Sequence, residues 1–332
     1  MFRRLKKTLR KSDVPQKAVS STPEIEKASV TATRAPDPLA ARISISPAQS
    51  PQEAVTMVPQ KSADPEAIIA KITESIRSDA DLNQDEQSLL DAVTFQEAAP
   101  LSDIVSSLRA YGLAIFPSLY NAEQLQAVTQ EYNDLMDNGE DLARGVDARA
   151  DTPAASYALR LLRKTLPAER FSHLHALFGS EIIHEITKQI FMGQNFAFND
   201  HLYAQWTDHT DVPASGVLHW DRQLTLKSWL YVTDGTDDYG PMRAGAGSNR
   251  FLRYLREDAM FNGQGYKSIE NSVAENTAPI ISTGGPAGTF FLFVTDTAHG
   301  ASPVAKGKRR NIIRAQSRPD RIAQWAAWAN KI

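Results

Sequence analysis

Val217-Leu-His-Trp-Asp-Arg-Gln-Leu-Thr-Leu-Lys-Ser-Trp-Leu-Tyr-Val232 decides how the rest of the chain is read. It joins His219-Trp220-Asp221 to a run of β-forming residues from Leu224 to Val232. On a strand, residues i and i+2 share a face, so imidazole and carboxylate emerge side by side. A third ligand must come from another strand. His299, in Phe290-Phe-Leu-Phe-Val-Thr-Asp-Thr-Ala-His-Gly, follows an apolar run and stands 299 − 221 = 78 positions beyond Asp221. Two histidines and one carboxylate on one face of an ion make the facial triad of non-haem iron(II) oxygenases, although zinc accepts the same ligand types. A second His-x-Asp, His209-Thr210-Asp211, ranks lower because Pro213 and Gly216 place it in a loop. A lone buried histidine is more often a satisfied core residue, so the assignment rests on the set of three.

Outward from this stretch, several more short segments rich in β-formers follow Asn195: 196–206, 217–220, 224–232, 278–282, 289–294 and 311–315. Gly- and Pro-bearing links separate them. The half before Asn195 is helical in pattern. Helices are expected over 65–79, 84–95, 102–111, 167–178 and 181–192, and from Ala122 with Asn121 as N-cap; a short strand is expected over 112–116. Strands after helices predict an α+β chain with a mainly β core, a barrel or sandwich flanked by helices.

Residues 1–64 hold seven of the 18 prolines, and Phe2 is the only aromatic residue before Phe95. So little apolar surface cannot offset the entropy of ordering, and disorder is expected there. A helical extension over 65–100 and the barrel domain over 101–332 complete the expected organisation. The first twelve residues carry six basic side chains and no acidic one, without the apolar stretch of a secretory signal. A solvated tail is the plainer reading. A weak contact with an anionic membrane surface through Phe2, Leu5 and Leu9 is the other. The expected compartment is the cytoplasm.

The formal net charge of -3 gives no reason to expect nucleic acid as a partner. The chain has no cysteine, which excludes disulfides, zinc–thiolate sites, iron–sulfur clusters and cysteine nucleophiles. Metal chemistry must therefore use histidine and carboxylate. The Gly- and Asp-rich stretch 234–249 has no phosphate-loop pattern and reads as a loop at the site mouth.

After His299 comes Gly-Ala-Ser-Pro-Val-Ala-Lys-Gly-Lys-Arg-Arg-Asn-Ile-Ile-Arg-Ala. A guanidinium here can hold a small dicarboxylate through a bidentate pair. If Ile313 and Ala315 point inward, so do Asn311 and Arg309, and this alternation favours Arg309 over Arg310. A basic solvated loop is the competing reading.

The chain resembles the phytanoyl-CoA dioxygenase family of iron(II)/2-oxoglutarate oxygenases from about residue 101 to 317. The resemblance is carried by the strand, turn and helix of 112–136, by Leu218-His-Trp-Asp-Arg-Gln223, by Leu230-Tyr-Val-Thr-Asp through Gly247-Ser-Asn-Arg250, and by Ala298-His-Gly-Ala-Ser-Pro303 with Arg309-Arg-Asn-Ile-Ile313. It implies a double-stranded β-helix, a cupin-like jelly-roll. It implies iron(II) on His219, Asp221 and His299, 2-oxoglutarate as cosubstrate, and dioxygen and a small-molecule substrate as the other reactants. The mix of Asp, Arg, Asn and aromatics in the loops 207–216 and 234–275 fits a polar substrate. The family's commoner spacing, 11 positions past the distal histidine, selects Arg310 for the cosubstrate carboxylate. Tyr203 and Gln205 are further inward-facing candidates on the preceding strand; Lys227 and Trp229 join them if no bulge intervenes. The intact Asp221 implies hydroxylation, since halogenating relatives carry Gly or Ala there. A metal-dependent enzyme without 2-oxoglutarate, or a binding protein on the same barrel, is the alternative; oligomeric state is not readable.

Overall fold

In the computed structural model the described residues are 35–40, 42–44, 83–96, 98–149, 156–209, 218–250, 252 and 271–320. Five α-helices lie among them: α1 Glu86–Val93, α2 Leu101–Ala110, α3 Ala122–Asn138, α4 Ser172–Phe178 and α5 Glu181–Ile190. The expected helix over 65–79 lies outside the described residues. Helix α3 starts where its sequence says it should. Asn121 accepts from the Gln124 backbone N–H, and the Gln124 side chain accepts from the Asn121 N–H, so two otherwise orphaned donors are satisfied reciprocally.

The strands are β1 Ile43–Ser44, β2 Ala99–Pro100, β3 Leu113–Phe116, β4 Ala143–Arg149, β5 Ser156–Leu162, β6 Phe196–Asp208, β7 Leu226–Tyr231, β8 Met242–Gly245, β9 Ile280–Ser282, β10 Phe290–Val294, β11 His299–Ala301 and β12 Arg309–Pro319. Seven of them form one sheet in the order β3-β10-β7-β12-β6-β5-β4, and three form another in the order β11-β8-β9. His219 makes an isolated bridge to His299 and so adds its segment to the free edge of β11. From β6 onward the chain alternates between the sheets: β6 in the large one, His219 in the small, β7 large, β8 and β9 small, β10 large, β11 small, β12 large. That path is the double-stranded β-helix, on an α+β chain whose core is mainly β.

Two apolar layers flank the large sheet. Leu202, Ala204, Leu226, Leu230, Leu292, Ile313 and Ala315 pack outward into a core shared with the helical layer, which contributes Ile104, Leu108, Tyr132, Leu177 and Ile183 among others. Tyr231, Phe291, Phe293 and Ile312 pack inward against Met242, Ala244 and Ile281 of the small sheet. The large sheet is therefore covered by apolar layers on both faces; β10 is an unbroken hydrophobic run, whereas β7 and β12 carry Lys227, Arg310 and Arg314 among their apolar residues.

Two expectations need correction. First, the stretch expected to be disordered contains packed residues: Leu39 and Ile43 are buried in the outer core, and β1 pairs in parallel with β2. Averaged composition hides two apolar anchors in a polar segment. Second, Ile313 and Ala315 face the helices and not the barrel interior, so Arg309 does not point inward. Arg309 pairs with Asp208 at 2.5 Å, stacks over Trp206 at 4.3 Å from the ring centroid, and is half exposed. Apolar alternation marks the interior only when one face of a strand is wet, and here neither is.

Candidate metal centre

His219 and His299 exchange backbone hydrogen bonds, His219 N–H to His299 O at 2.9 Å and His299 N–H to His219 O at 2.6 Å. This reciprocal pair places two residues 80 positions apart (299 − 219) side by side, with ring centroids 4.6 Å apart. The Asp221 N–H donates to Thr295 O at 2.9 Å, which fixes the carboxylate end of the motif. Trp220 points the other way into a small apolar cluster with Leu218, Leu252 and Ala298. Burying the indole thus sets which way its two neighbours face.

One ligand atom from each of His219, Asp221 and His299 lies within 4.8 Å of the others. The two carboxylate oxygens have different partners. Oδ1 stands 4.0 Å from His219 Nε2 and 3.7 Å from His299 Nε2, whereas Oδ2 accepts from Lys227 Nζ at 2.6 Å. His299 Nδ1 is 2.8 Å from the Thr297 carbonyl, which accepts its proton and leaves Nε2 unprotonated toward the centre. Thr297 is itself locked, its hydroxyl donating to Gly112 O. Gly112 has φ +81°, and a Cβ there would stand 2.0 Å from the Thr297 hydroxyl. Cis ligands at about 2.1 Å from an ion lie about 3 Å apart, so these donors need only small side-chain rotations to fit one.

Burial pushes His299 down to about 3, and the Lys227 ammonium adds to this against the pull of Asp221. Burial alone would raise Asp221, but Lys227 and His299 more than offset it and hold the carboxyl at about 2. Both depressions have the same sign for stability. An unfolded histidine titrates near 6.5 and an unfolded aspartate near 3.9, so the unfolded chain binds more protons than the folded one as pH falls. Without metal, His299 should cost about 2 kcal/mol between pH 7 and pH 5, with Asp221 adding its share below about pH 4. Urea midpoints of the metal-free protein should fall across that interval, and His299→Gln should flatten the fall. An equal acid loss in that variant would contradict this assignment.

The inward face of β6, β7 and β12 completes the surroundings. The register sets Tyr203 opposite Arg314, Gln205 opposite Ile312 and Thr207 opposite Arg310 on one side of β12, with Trp229 opposite Arg314 on the other. Tyr203, Gln205, Lys227 and Trp229 all face inward, although bends at Arg222 and Gln223 interrupt the strand between Asp221 and β7, so the alternation expected from the motif does not run through to Lys227. Arg310 is 3% exposed, donates to Gly240 O, and has an Nε with no acceptor. Burial draws its pKa down, with the neighbouring Tyr231 acting against this. His209 lies apart, its Nδ1 at 2.7 Å from Val304 O, and Asp211 of that second motif is outside the described residues. Among the described residues no helix is long and apolar enough to cross a membrane.

Several solved structures are similar to the chain at low identity. The non-heme alpha ketoglutarate dependent epimerase SnoN from nogalamycin biosynthesis is 14% identical, with a TM-score of 0.47 over 68% of this chain and 87% of that one. The carbocyclase SnoK from the same biosynthesis is 16% identical, TM-score 0.47, over 64% and 81%. EctD from S. alaskensis is 12% identical, TM-score 0.42, over 65% and 75%. No curated protein sequence matches the chain. The model of the phytanoyl-CoA dioxygenase (PhyH) family matches residues 108–312, more than half of the chain and all three candidate ligands. The chain belongs to the phytanoyl-CoA dioxygenase family, whose oxygenases work with iron(II) and 2-oxoglutarate.

Proposed function

We propose that this protein hydroxylates a C–H bond of a small, polar molecule, with iron(II) held by His219, Asp221 and His299 and 2-oxoglutarate anchored by Arg310. The observation that carries the reading is the division of labour at Asp221. One oxygen faces both imidazoles while the other is occupied by Lys227, so the carboxylate is aimed at a point between three donors. Lys227 is a positioning residue here, orienting a ligand and not touching the reactants.

Bound iron(II) and 2-oxoglutarate would supply the oxidising chemistry: dioxygen is consumed, 2-oxoglutarate loses carbon dioxide to give succinate, and one oxygen atom goes to the substrate. The chain's residues hold and orient the reactants. His219, Asp221 and His299 would hold the ion from one side and leave the other side to the reactants. Arg310 supplies a guanidinium in a dry setting, where a charge-assisted bidentate pair with the distant carboxylate is strongest. Phe293, edge-on to His299 at 5.0 Å between centroids, and Phe291 behind it keep water from the inner side. Asp221 occupies the position that a halide would need, which favours hydroxylation over halogenation.

The purified protein, given iron(II), ascorbate and labelled 2-oxoglutarate, is expected to release succinate and carbon dioxide slowly without substrate and faster with it. No succinate above the metal-free control, across a broad panel of polar metabolites, would overturn the reading.

A further inference from the structure

Arg310 is not the only arginine that β12 turns inward. Arg314 lies four residues further along the same face, between Tyr203 on β6 and Trp229 on β7. Its guanidinium sits 4.1 Å from the Tyr203 ring centroid and 5.8 Å from that of Trp229. Among the described residues it has no ion pair and no hydrogen bond. Burial draws its pKa down, while Tyr203, Asp221 and Asp147 act to hold it up. It shares the inward face of the sheet with Lys227, whose ammonium grips Asp221. Beside it, Trp229 Nε1 is a buried donor with no acceptor.

Among the described residues, positive charge outnumbers negative on the inward faces of β7 and β12. Lys227, Arg310 and Arg314 bring three positive charges to the inward faces of β7 and β12, and Asp221 turns one negative charge toward them. That leaves +2. A divalent ion raises it to +4, and dianionic 2-oxoglutarate returns it to +2. Lys227 is committed to Asp221, and Arg310 to the cosubstrate in the function proposed above. Arg314 is the cation left over, its guanidinium carbon over the rings of Tyr203 and Trp229 and its N–H groups without an acceptor among the described residues, a setting that suits a planar oxyanion.

We propose that Arg314, backed by Tyr203 and Trp229, recognises a carboxylate carried by the substrate, so that the substrates of this enzyme are organic acids. The proposal rests on the assignment of Arg310 to 2-oxoglutarate, and the test separates the two. The protein is loaded with manganese(II) and saturating 2-oxoglutarate without oxygen, so that nothing turns over. Benzoate and butyrate are then titrated against benzamide and butyramide, with tryptophan fluorescence and calorimetry as readouts.

The carboxylates are expected to bind at least tenfold more tightly than the amides. Arg314→Gln should erase that preference while leaving 2-oxoglutarate affinity within about threefold, and Arg314→Lys should restore part of it. A wild-type protein that binds acids no better than amides overturns the proposal. So does an Arg314→Gln loss of 2-oxoglutarate affinity as large as that of Arg310→Gln, because Arg314 would then serve the cosubstrate. If Arg310→Gln leaves 2-oxoglutarate binding intact, the function proposed above fails at Arg310, and the acid-against-amide preference of Arg314→Gln and Arg314→Lys still decides the present proposal.

Discussion

His219→Ala and Asp221→Ala are each expected to reduce iron-dependent succinate formation by at least ~1000-fold, while His209→Ala keeps wild-type turnover. A factor of that size corresponds to about 4 kcal/mol of lost transition-state stabilisation. The site has three protein donors, so removing one leaves two, too few to define a facial geometry. Asp221 carries the sole negative charge among the three, and its loss also leaves Lys227 buried without a counter-ion. Breaking a buried pair from one side costs about 3–5 kcal/mol, so Asp221→Ala should also lower thermal stability. Asp221→Asn tests this more cleanly, since it keeps the shape and removes the charge. His209 bonds the Val304 backbone carbonyl and is not among the three donors that converge, so its replacement should leave metal binding untouched. Equilibrium dialysis with manganese(II) reads the same point without turnover. Full activity in either triad variant would rule out the site.

How much of this was legible in the sequence differs from element to element. Helix α3 and its Asn121 cap were legible because local signals coincided with the tertiary answer. Strands β6, β7 and β10 were legible for the same reason, being rich in β-forming residues, and the His-x-Asp spacing pointed to two side chains that do lie beside His299, brought there by an isolated bridge at His219 and not by a regular strand. Strands β4, β5, β8 and β11 were not. Ala143-Arg-Gly-Val-Asp-Ala-Arg149 has almost no β-forming character and is a strand because β5 pairs with it. Met242–Gly245 and His299–Ala301 are too short for any periodicity to show, and only their antiparallel pairing defines them. The sequence offers Lys227 as a possible neighbour, but its grip on Asp221 depends on where β7 begins relative to the motif. Arg309 shows the deeper limit. Its neighbours Ile313 and Ala315 are core residues, yet of the outer core, and a strand buried on both faces carries no mark of which core a residue joins.

Replacing Arg310 with glutamine is expected to raise the KM for 2-oxoglutarate by about 100-fold, whereas Arg309→Gln should leave it within about twofold. The first figure follows from truncating one partner of a buried charge pair, which costs about 2–5 kcal/mol. The second follows from exposure, because Arg309 is half exposed and engaged with Asp208, and such surface pairs contribute about 0–1 kcal/mol. The same substitution at Arg310 should move stability the other way. Without cosubstrate, Arg310 is a cation 3% exposed, with one donor unsatisfied and no carboxylate partner among the described residues. Such a group costs free energy until its anion arrives. The ligand-free Arg310→Gln protein should therefore melt a few degrees above wild type, about 1 kcal/mol corresponding to roughly 2–4 °C in a domain of this size. Addition of 2-oxoglutarate with manganese(II) should then raise the melting point of wild type and Arg309→Gln but barely move that of Arg310→Gln. Loss of affinity with gain of stability in one variant is the mark of a residue kept for its ligand and not for the fold. If Arg310→Gln instead unfolds the protein while Arg309→Gln loses 2-oxoglutarate, the inward face of β12 has been assigned the wrong way round.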